Sequence, residues 1–402
     1  MRSRTQNVLL IALILIITLP LLLSIRQDTN LHVDERDHLD QITRFLKGEK
    51  TLNPLLTTIP GYHLILATLL KPFPNPALPL ARTLTFIFSL LSILVFFLIV
   101  KKIDPTSLFT KTLQYAFFPV LFPFFFLLYT DVFSLLLVLA AFFFALRKSY
   151  NLTAFIGVAS IAVRQNNILW LLFLFTFMFF QEYSTINKES IKNHLKKSWL
   201  FLLGFIAFAI FLFINQGIAI GDKTGHPGGI FFGNIYFLLF LFFFLLLPYN
   251  LANLKKIKEK IKEKPKIILL LLVILMFYLF TFKNTHPYNQ EAYNFFLRNQ
   301  ILNFFTSSLF LKILFFLPIA GSMLSLWTTK LPSKACYLMY PTTILYLLPS
   351  WLIEQRYYLI PFALFLALKE RKSSAIEYFT ILAYIALSLY FFYGIRHLKF
   401  FL

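Results

Sequence analysis

The densest group of potentially reactive side chains lies in the stretch NLHVDERDHLD, residues 30–40, directly after the first apolar segment. It holds four carboxylates and two histidines, side chains that transfer protons or bind metal ions. The helical spacing i, i+4, i+7 places Asp34, His38 and Gln41 on one stripe. A metal site of Asp34, Glu35 and His38 matches no established ligand spacing. The stripe therefore makes Asp34 and His38 candidate catalytic groups, with helix capping by Asp34 as an alternative that is compatible with catalysis.

A second set of unusual residues consists of cations that could bind a phosphate group. Its members are Arg164, Lys223, His226, His286 and Arg356. Arginine binds phosphate through a planar fork, whereas lysine acts as a point charge. The glycine-rich stretch GDKTGHPGG, residues 221–229, could also wrap an anion with backbone N–H groups. Ion pairing with Asp131, Asp222 and Glu354 is the alternative for these cations.

The composition indicates the solvent in which these groups must be positioned. The chain has 402 residues, of which 58% are hydrophobic and 14% charged, and its mean hydropathy is +0.73. A soluble domain of this length cannot bury that much apolar surface, which predicts a polytopic membrane protein. The net charge of +21 reflects basic cytoplasmic loops rather than nucleic-acid binding. The single cysteine, Cys336, excludes an intramolecular disulfide.

Apolar segments long enough to cross a bilayer, or to pack inside a bundle, recur along the whole chain. They lie at about 7–25, 79–100, 112–128, 132–147, 151–163, 167–181, 198–217, 230–249, 267–283, 304–327, 336–352, 357–369 and 376–395. They predict one all-α bundle over residues 1–402, with about 11–13 transmembrane helices and a long first outer loop at 26–78. No small-residue cleavage site follows the first segment, which favours a retained helix over a signal peptide. The segment 57–70, with its Pro60 and Gly61, predicts a short re-entrant or surface helix.

Loop charges predict the orientation. With the N-terminus in the cytoplasm, the basic loops fall inside, as the positive-inside rule requires. They are KKIDPTSLFTK, RKSY, residues 182–197, LKKIKEKIKEKPK (a predicted solvated helix), TTKLPSK and KERKSS. The C-terminal RHLKFFL, with Arg396 and Lys399, falls outside against that rule. Most polar motifs then share the outer face, and charges such as Asp131 and Arg164 beside short apolar runs predict a water-filled cavity there.

Seven motifs on this face, taken in chain order, resemble those of one family. VDERDHLDQ resembles a D-E-x-x-H-x-x-Q signature, and LTTIPGYH is similar to a T-T-x-P-G-x-Y/H segment. They are followed by YTD, RQNNILW, GDKTGH, THPY and EQRYYLIP. The family is that of the dolichyl-phosphate-glucose-dependent alpha-1,2-glucosyltransferases, of the GT-C class, which add the terminal glucose to the lipid-linked oligosaccharide used for protein N-glycosylation. The resemblance extends from Asp34 to Pro361.

This resemblance implies a polyprenyl or dolichyl phosphate sugar as donor, a lipid-linked glycan as acceptor, and no metal or cofactor. An inverting transfer needs one general base to take the proton of the acceptor hydroxyl. Asp34 is the first candidate for this base and Glu35 the second, while His38 would orient the base or the acceptor. The remaining candidates are Arg164, Lys223, His226, Arg356, Asp222, Asp131 and His286 for the donor phosphate and sugar, and Gln41, His63 and Tyr288 for the acceptor.

Two alternatives to this function stay open at the level of sequence. Another GT-C transferase that uses a lipid phosphate sugar, with mannose or aminoarabinose, shares the acidic pair of the first loop. A transporter or lipid flippase would also have an outward cavity, but the chain lacks the internal repeats typical of such proteins. The composition favours a prokaryotic homologue, which would lie in the plasma membrane; a eukaryotic protein would lie in the endoplasmic reticulum membrane, with its site on the lumenal side.

Overall fold

The computed structural model describes residues 2–73, 78–291 and 295–402. Residues 74–77 of the expected outer loop therefore lie outside the described part of the chain. All regular elements within the described ranges are helices, and the chain also forms an isolated bridge between Phe295 and Phe401. The all-α membrane architecture expected from the sequence is confirmed.

The first half of the chain forms ten α-helices among its described residues. They are α1 (Arg2–Arg26), α2 (Glu35–Leu46), α3 (Gly61–Leu70), α4 (Leu78–Ile103), α5 (Leu108–Ala116), α6 (Thr130–Leu146), α7 (Tyr150–Ile161), α8 (Ile168–Glu182), α9 (Lys188–Lys197) and α10 (Trp199–Asn215). Short 3-10 helices lie between some of them, at Pro105–Ser107, Phe122–Phe125 and Gln165–Asn167. Within the segment 57–70, residues Gly61–Leu70 form the short helix α3, which follows Pro60.

The second half has nine more α-helices among its described residues. They are α11 (Gly233–Leu245), α12 (Leu247–Glu263), α13 (Lys266–Thr281), α14 (Pro287–Gln290), α15 (Leu302–Thr306), α16 (Leu309–Thr328), α17 (Met339–Leu347), α18 (Leu359–Leu368) and α19 (Ser374–Arg396). This half also contains the π-helix Phe296–Ile301 and the 3-10 helices Lys334–Leu338 and Gln355–Tyr358. The Lys- and Glu-rich segment continues α12 as a helix, as its spacing predicts.

Fewer helices are long enough to cross a bilayer than the thirteen apolar segments suggest. Within the described residues, α1, α4, α16 and α19 have the required length and apolar composition. The count rises to six if the bent pairs α9–α10 and α11–α12 are each one broken span, with bends of 76° and 95°. The other apolar segments form shorter helices, which need neighbouring protein to cover their ends.

Prolines explain part of this difference. The expected span 112–128 is not one helix, because α5 ends at Ala116 and a 3-10 turn follows at Phe122–Phe125. Pro119 and Pro123 lie in this segment and lack the N–H that a continuous helix needs. Its side chains are buried throughout, so the irregular backbone is enclosed by protein rather than lipid. Pro248 similarly follows the break between α11 and α12.

Helix α4 separates two polar regions of the molecule. Its 26 residues span about 39 Å, with Arg82 near one end and Lys101 and Lys102 at the other. Near the lysine end, Lys111 pairs with Asp104 at 3.1 Å. Other contacts join the predicted inner loops there, from Lys256 to Glu370 (2.8 Å) and from Arg371 to the Thr106 carbonyl (3.2 Å). The motifs predicted for the outer face gather at the Arg82 end.

Candidate functional site

All seven motifs meet at one cavity of about 770 Å³. The lining residues that lie in the motifs or directly before them are Leu31–Asp34 and Arg36–His38, Leu56–Thr58, Thr130, Arg164, Asp222 and His226, Tyr288, Arg356 and Tyr357. The motifs are spread over most of the chain, and packing of the helix bundle brings them together. A single polar cavity built from all seven is the arrangement expected of a functional site.

A buried ion pair fixes the segment that leads into α2. Arg82 and Glu35 have no exposed surface, and their side chains are joined at 2.9 Å (Nε–Oε1) and 2.5 Å (Nη2–Oε2). The other guanidinium N–H groups donate to the carbonyls of Ile25, Asp28 and Asn30 at 2.7–2.8 Å. All five donors of Arg82 are thus used, and the whole turn before α2 is held against α4.

Glu35 is fully occupied by this arrangement. Besides Arg82, its carboxylate accepts the backbone N–H groups of His32 (2.9 Å) and Leu128 (2.7 Å). It does not line the cavity. In this geometry Glu35 has no path to a bound substrate, and its position fits a structural part of the site rather than a base.

Asp34 lies at the entry to α2 and faces the cavity, with 37% of its side chain exposed. It makes no side-chain capping bond to the helix. Its Oδ2 is 2.8 Å from Nη1 of Arg356, and its backbone N–H donates to the Tyr129 hydroxyl at 3.1 Å. Partial desolvation in the cavity opposes ionisation, but the Arg356 guanidinium keeps the pKa of Asp34 below its usual value. The carboxylate is therefore ionised at neutral pH and able to accept a proton.

A chain of alternating charges continues from Asp34 along the cavity wall. Arg356 also approaches Asp131 (Nη1–Oδ2, 3.9 Å) and Glu354 (Nη2–Oε2, 3.4 Å). Asp131, which is almost fully buried, contacts Nη1 of Arg164 at 2.9 Å. Arg298 pairs with Glu354. The carboxylates behind the wall thus orient three arginines whose side chains line the cavity.

His38 forms a buried pair with His63 behind it. His38 Nδ1 lies 2.9 Å from His63 Nε2. Burial lowers the pKa of His38 to about 4 and the pKa of His63 well below its ordinary value. Both rings are therefore neutral near pH 7, so that one donates a hydrogen bond to the other. Only His38 reaches the cavity, which makes His63 a support for His38.

This pair predicts a pH dependence of stability. Because the folded protein protonates His38 only near pH 4, against 6.5 for an ordinary histidine, the unfolded chain binds the proton more readily. The contribution of the neutral His38 to the free energy of unfolding is complete above about pH 6.5 and is lost as the pH falls towards 4. At pH 5 the free energy of unfolding is lower by about 2 kcal/mol. His38→Gln should reduce the fall in melting temperature between pH 7 and pH 5, whereas His397→Gln, at an exposed position, should not. Equal slopes in wild type and His38→Gln would contradict this account.

Gln165, next to Arg164, ties two of the loops to the site. Its Nε2 donates to the carbonyls of Thr57 (2.7 Å) and Ile218 (2.8 Å), and its Oε1 accepts the N–H of Ile59 at 3.2 Å. The TTIPGYH segment and the start of the GDKTGH loop are thus fixed to the motif that carries Arg164.

Two glycines of these motifs are required by close approaches. Gly221 donates its N–H to the Leu56 carbonyl at 2.9 Å, and a Cβ there would lie 2.4 Å from that oxygen. Gly61 donates to the Ala162 carbonyl at 3.0 Å, and a Cβ would lie 2.3 Å from it. A side chain at either position would push the loops apart.

The GDKTGH loop presents Asp222 and His226 to the cavity. Asp222 accepts the Gly225 N–H at 2.9 Å, which is the first cause of a pKa below its usual value. Lys223, in contrast, is exposed outside the cavity lining, and its Nζ donates to the Asn215 carbonyl at 2.6 Å. The structure therefore does not bring Lys223 to the other predicted phosphate ligands.

His286 holds this loop to the THPY motif. Its Nδ1 accepts the N–H of Tyr288 at 3.1 Å, so Nε2 carries the proton and donates to the Gly225 carbonyl at 2.9 Å. Burial lowers the pKa of His286, and the ring is neutral and covered rather than a cation facing the cavity. Its neighbour Tyr288 lines the cavity.

Of the predicted acceptor contacts, Tyr288 reaches the cavity and the other two do not. Gln41 is fully buried, and its Oε1 accepts the Asn53 N–H at 2.7 Å. It therefore shapes the loop after α2, and His63 lies behind His38. In all, seven of the predicted residues line the cavity: Asp34, His38, Arg164, Asp222, His226, Tyr288 and Arg356.

Arg82, Arg298 and Tyr129 were not predicted from the sequence. Arg82 lies inside the predicted span 79–100, where a charged residue usually has a function or a charged partner. Its position in the sequence could therefore have identified it as important. Arg298 lines the cavity and lies 3.8 Å from the centre of the Phe295 ring. Tyr129 lies under Arg356, 5.1 Å from its guanidinium, and its hydroxyl donates to the His32 carbonyl at 2.9 Å. No spacing rule marks the last two residues.

Residues of the C-terminal RHLKFFL segment line the same cavity. Phe400 and Phe401 line it, and the Phe401 carbonyl accepts the N–H of Phe296 at 2.8 Å. Arg396 Nη1 is 3.1 Å from Asp28 Oδ2. These contacts place the segment beside the seven motifs. The alternation of predicted spans had likewise put the segment and the motifs on the same face, although the positive charge of the segment argued against that side.

In the described ranges 2–73, 78–291 and 295–402, no group of three His, Cys, Asp or Glu side chains is arranged to hold a metal ion. The polar groups of the cavity are arginines, carboxylates and imidazoles in hydrogen-bonded pairs. Such a set of side chains can bind an anionic ligand through the arginines and accept or donate a proton through a carboxylate or an imidazole.

The fold and this site together define an all-helical membrane protein with a charged cavity at the ends of its helices. The chain belongs to the DIE2/ALG10 family, which it matches over residues 28–198 and 175–367. A Rattus norvegicus protein named Dol-P-Glc:Glc(2)Man(9)GlcNAc(2)-PP-Dol alpha-1,2-glucosyltransferase is 23% identical, over 83% of this chain and 83% of the relative. A Homo sapiens protein of that name is also 23% identical over the same shares. A relative of that name from Candida glabrata is 26% identical, over 82% of this chain and 73% of its own length. No solved structure matches the chain.

Proposed function

We propose that this protein is a membrane glycosyltransferase that moves glucose from a polyprenyl or dolichyl phosphate glucose to a hydroxyl group of a lipid-linked oligosaccharide. The names of the relatives support the donor and the acceptor. The observation that carries the proposal is the contact between Asp34 and Arg356 in one cavity, which puts a base beside a phosphate-binding group. We place this cavity on the lumenal or extracytoplasmic face, with the basic loops on the other side.

The proposed reaction needs a proton acceptor at the attacking hydroxyl group. The acceptor oxygen attacks the anomeric carbon of glucose and forms the new C–O bond, with inversion. The bond from that carbon to the phosphate oxygen breaks, and its electron pair stays on the phosphate. The hydroxyl proton passes to the carboxylate of Asp34, which is ionised and exposed to the cavity. His38, neutral and adjacent on the same helix face, would orient the acceptor or the base.

The leaving group is a lipid phosphate whose negative charge grows as the bond breaks. Arg164 and Arg356 line the cavity and are held in place by buried carboxylates. Preorganised cations of this kind stabilise a developing anion without first having to reorient. Asp131 is buried behind both arginines, so its part in the reaction is to orient them rather than to touch the phosphate.

Removal of one of these cations should weaken donor use. Arg164→Ala should raise KM for dolichyl phosphate glucose by about 30-fold, corresponding to about 2 kcal/mol for the loss of a charged hydrogen-bond partner. Steady-state transfer by membranes that contain the variant measures this effect. Lys223→Ala is the matched control, because Lys223 lies outside the cavity lining; its KM should stay within about twofold. An unchanged KM in Arg164→Ala would remove Arg164 from the phosphate site.

The proposed function is tested by mass spectrometry of lipid-linked glycans from cells with and without the gene. We expect the strain that lacks the gene to accumulate a glycan one hexose shorter, and expression of wild type, but not of Asp34→Asn, to restore the full glycan. A shortage of mannose or aminoarabinose instead of glucose would point to another GT-C transferase. Identical glycans in all strains would refute a role in glycan assembly.

A further inference from the structure

The carboxylate of Asp34 contacts the guanidinium of Arg356 inside the cavity. Its Oδ2 lies 2.8 Å from Nη1 of Arg356, and both side chains line the cavity. Under the proposed function the same guanidinium binds the phosphate of the donor. A carboxylate and a phosphate form the same type of charged hydrogen bond with arginine, so they compete for this face of Arg356.

Arg356 has other contacts besides Asp34 that hold its guanidinium in position. Glu354 contacts its Nη2 at 3.4 Å, and Asp131 lies 3.9 Å from its Nη1. Tyr129 supports the guanidinium from one side. Glu354 is itself fixed, because it pairs with Arg298. These contacts anchor the cation from behind and leave the cavity side for an exchangeable anion.

The side chain of Asp34 is held much more weakly than its backbone. The backbone N–H donates to Tyr129, and the carbonyl accepts the N–H groups of Asp37 and His38, both at 3.1 Å. Over residues 2–73, 78–291 and 295–402, Arg356 is the one group that pairs with the carboxylate. Rotation about the side-chain bonds can therefore release the carboxylate from Arg356 while α2 stays where it is.

We propose that Arg356 is a specificity-determining residue that restrains Asp34 until the phosphate of the donor takes its place. The inference rests on the proposed function. While it is paired with Arg356, the Asp34 carboxylate is a weak base because the neighbouring cation stabilises its ionised form. Once the phosphate displaces it, the carboxylate lies beside an anion, becomes a stronger base and can accept the proton of a hydroxyl group. A neutral lipid glycoside, which has no charge to offer Arg356, would leave the base restrained.

Direct binding measurements test this exchange. The full-length protein in lipid nanodiscs is titrated with dolichyl phosphate and, separately, with dolichyl phosphate glucose. Asp34→Asn removes the competing anion and should bind both ligands about tenfold more tightly than wild type. Asp37→Asn is the matched control, since it removes the same charge from the same cavity without a contact to Arg356, and its affinity should change by about twofold or less. Equal or weaker binding by Asp34→Asn would overturn the proposal.

The two ligands separate this inference from the proposed function. Tighter binding of dolichyl phosphate by Asp34→Asn supports the exchange whichever sugar the enzyme uses. If wild type then transfers no glucose, the proposed function fails while the exchange stands. If wild type transfers glucose but Asp34→Asn binds neither ligand more tightly, the function stands and the exchange fails.

The pH dependence of wild-type turnover gives a second readout. Arg356 holds the pKa of Asp34 low in the free protein, and displacement by a phosphate should raise it. Activity is lost as the pH falls through the pKa of the base. The acid limb of kcat, which reports the donor complex, should therefore lie at higher pH than that of kcat/KM for the donor. Coincident acid limbs would contradict the exchange.

Discussion

Replacement of Asp34 by asparagine is expected to lower the rate of glucose transfer by about 10²- to 10⁴-fold, the usual contribution of a general base. The amide has nearly the shape of the carboxylate but cannot take the hydroxyl proton. The fold should persist, because the Asp34 side chain makes no capping bond and the backbone contacts to Tyr129 and His38 remain. Single-turnover transfer with saturating donor measures the chemical step without interference from the change in donor affinity.

Asp40→Asn is the matched control for this experiment. Asp40 lies on α2, the helix that Asp34 precedes, but its carboxylate pairs with Arg44 at 2.8 Å and is 42% exposed, outside the cavity lining. Its transfer rate should stay within about twofold of wild type. Normal turnover by Asp34→Asn would show that another group, such as His38, accepts the proton.

The largest expected effect on stability comes from Arg82. Arg82→Met leaves the carboxylate of Glu35 buried with no cation and leaves the carbonyls of Ile25, Asp28 and Asn30 without their donor. Removal of one partner of a buried pair costs about 3–5 kcal/mol. We expect low yields of folded protein and a much lower melting temperature in detergent. Activity should fall in parallel, because the same contacts position Asp34.

An exposed ion pair on α2 provides the comparison. Arg44→Met breaks a contact with Asp40 in which both side chains are partly exposed, and should cost about 1 kcal/mol or less. The double variant Arg82→Met/Glu35→Gln removes the uncompensated charge and should regain part of the lost stability. If Arg82→Met melts at the same temperature as Arg44→Met, the buried pair does not stabilise the fold as proposed.

The broad architecture could be predicted from sequence because it depends on local properties. Long apolar runs require helices in a membrane, and Pro60 and Gly61 indicate that the segment 57–70 contains only a short helix, α3 (Gly61–Leu70). The breaks within apolar segments were harder to predict, because mean hydropathy is averaged over a window of residues. Such an average does not reveal that Pro119 and Pro123 interrupt a helix. The segment 112–128 therefore looked like a span although α5 ends at Ala116.

The site was predictable to the extent that it consists of motifs at helix ends. Helical spacing placed Asp34 and His38 on one stripe, and both line the cavity. The same reasoning could not separate Asp34 from Glu35, because what distinguishes them is Arg82, 47 positions away from Glu35. It also grouped Lys223 and His286 with the arginines as phosphate ligands. In the structure Lys223 points away from the cavity to the Asn215 carbonyl, and both ring nitrogens of His286 are used in hydrogen bonds. Both outcomes depend on tertiary contacts that the sequence does not reveal.

The most direct test of the central claim is a transfer reaction with the purified protein in lipid nanodiscs. It would contain dolichyl phosphate glucose, labelled in the sugar, and a lipid-linked oligosaccharide that ends in two glucoses. We predict that wild type moves the label to the oligosaccharide in an alpha-1,2 linkage and that Asp34→Asn binds the donor but moves the label at least about 100-fold more slowly. Label that stays on the donor with wild type, or that reaches the oligosaccharide equally with Asp34→Asn, would contradict the account.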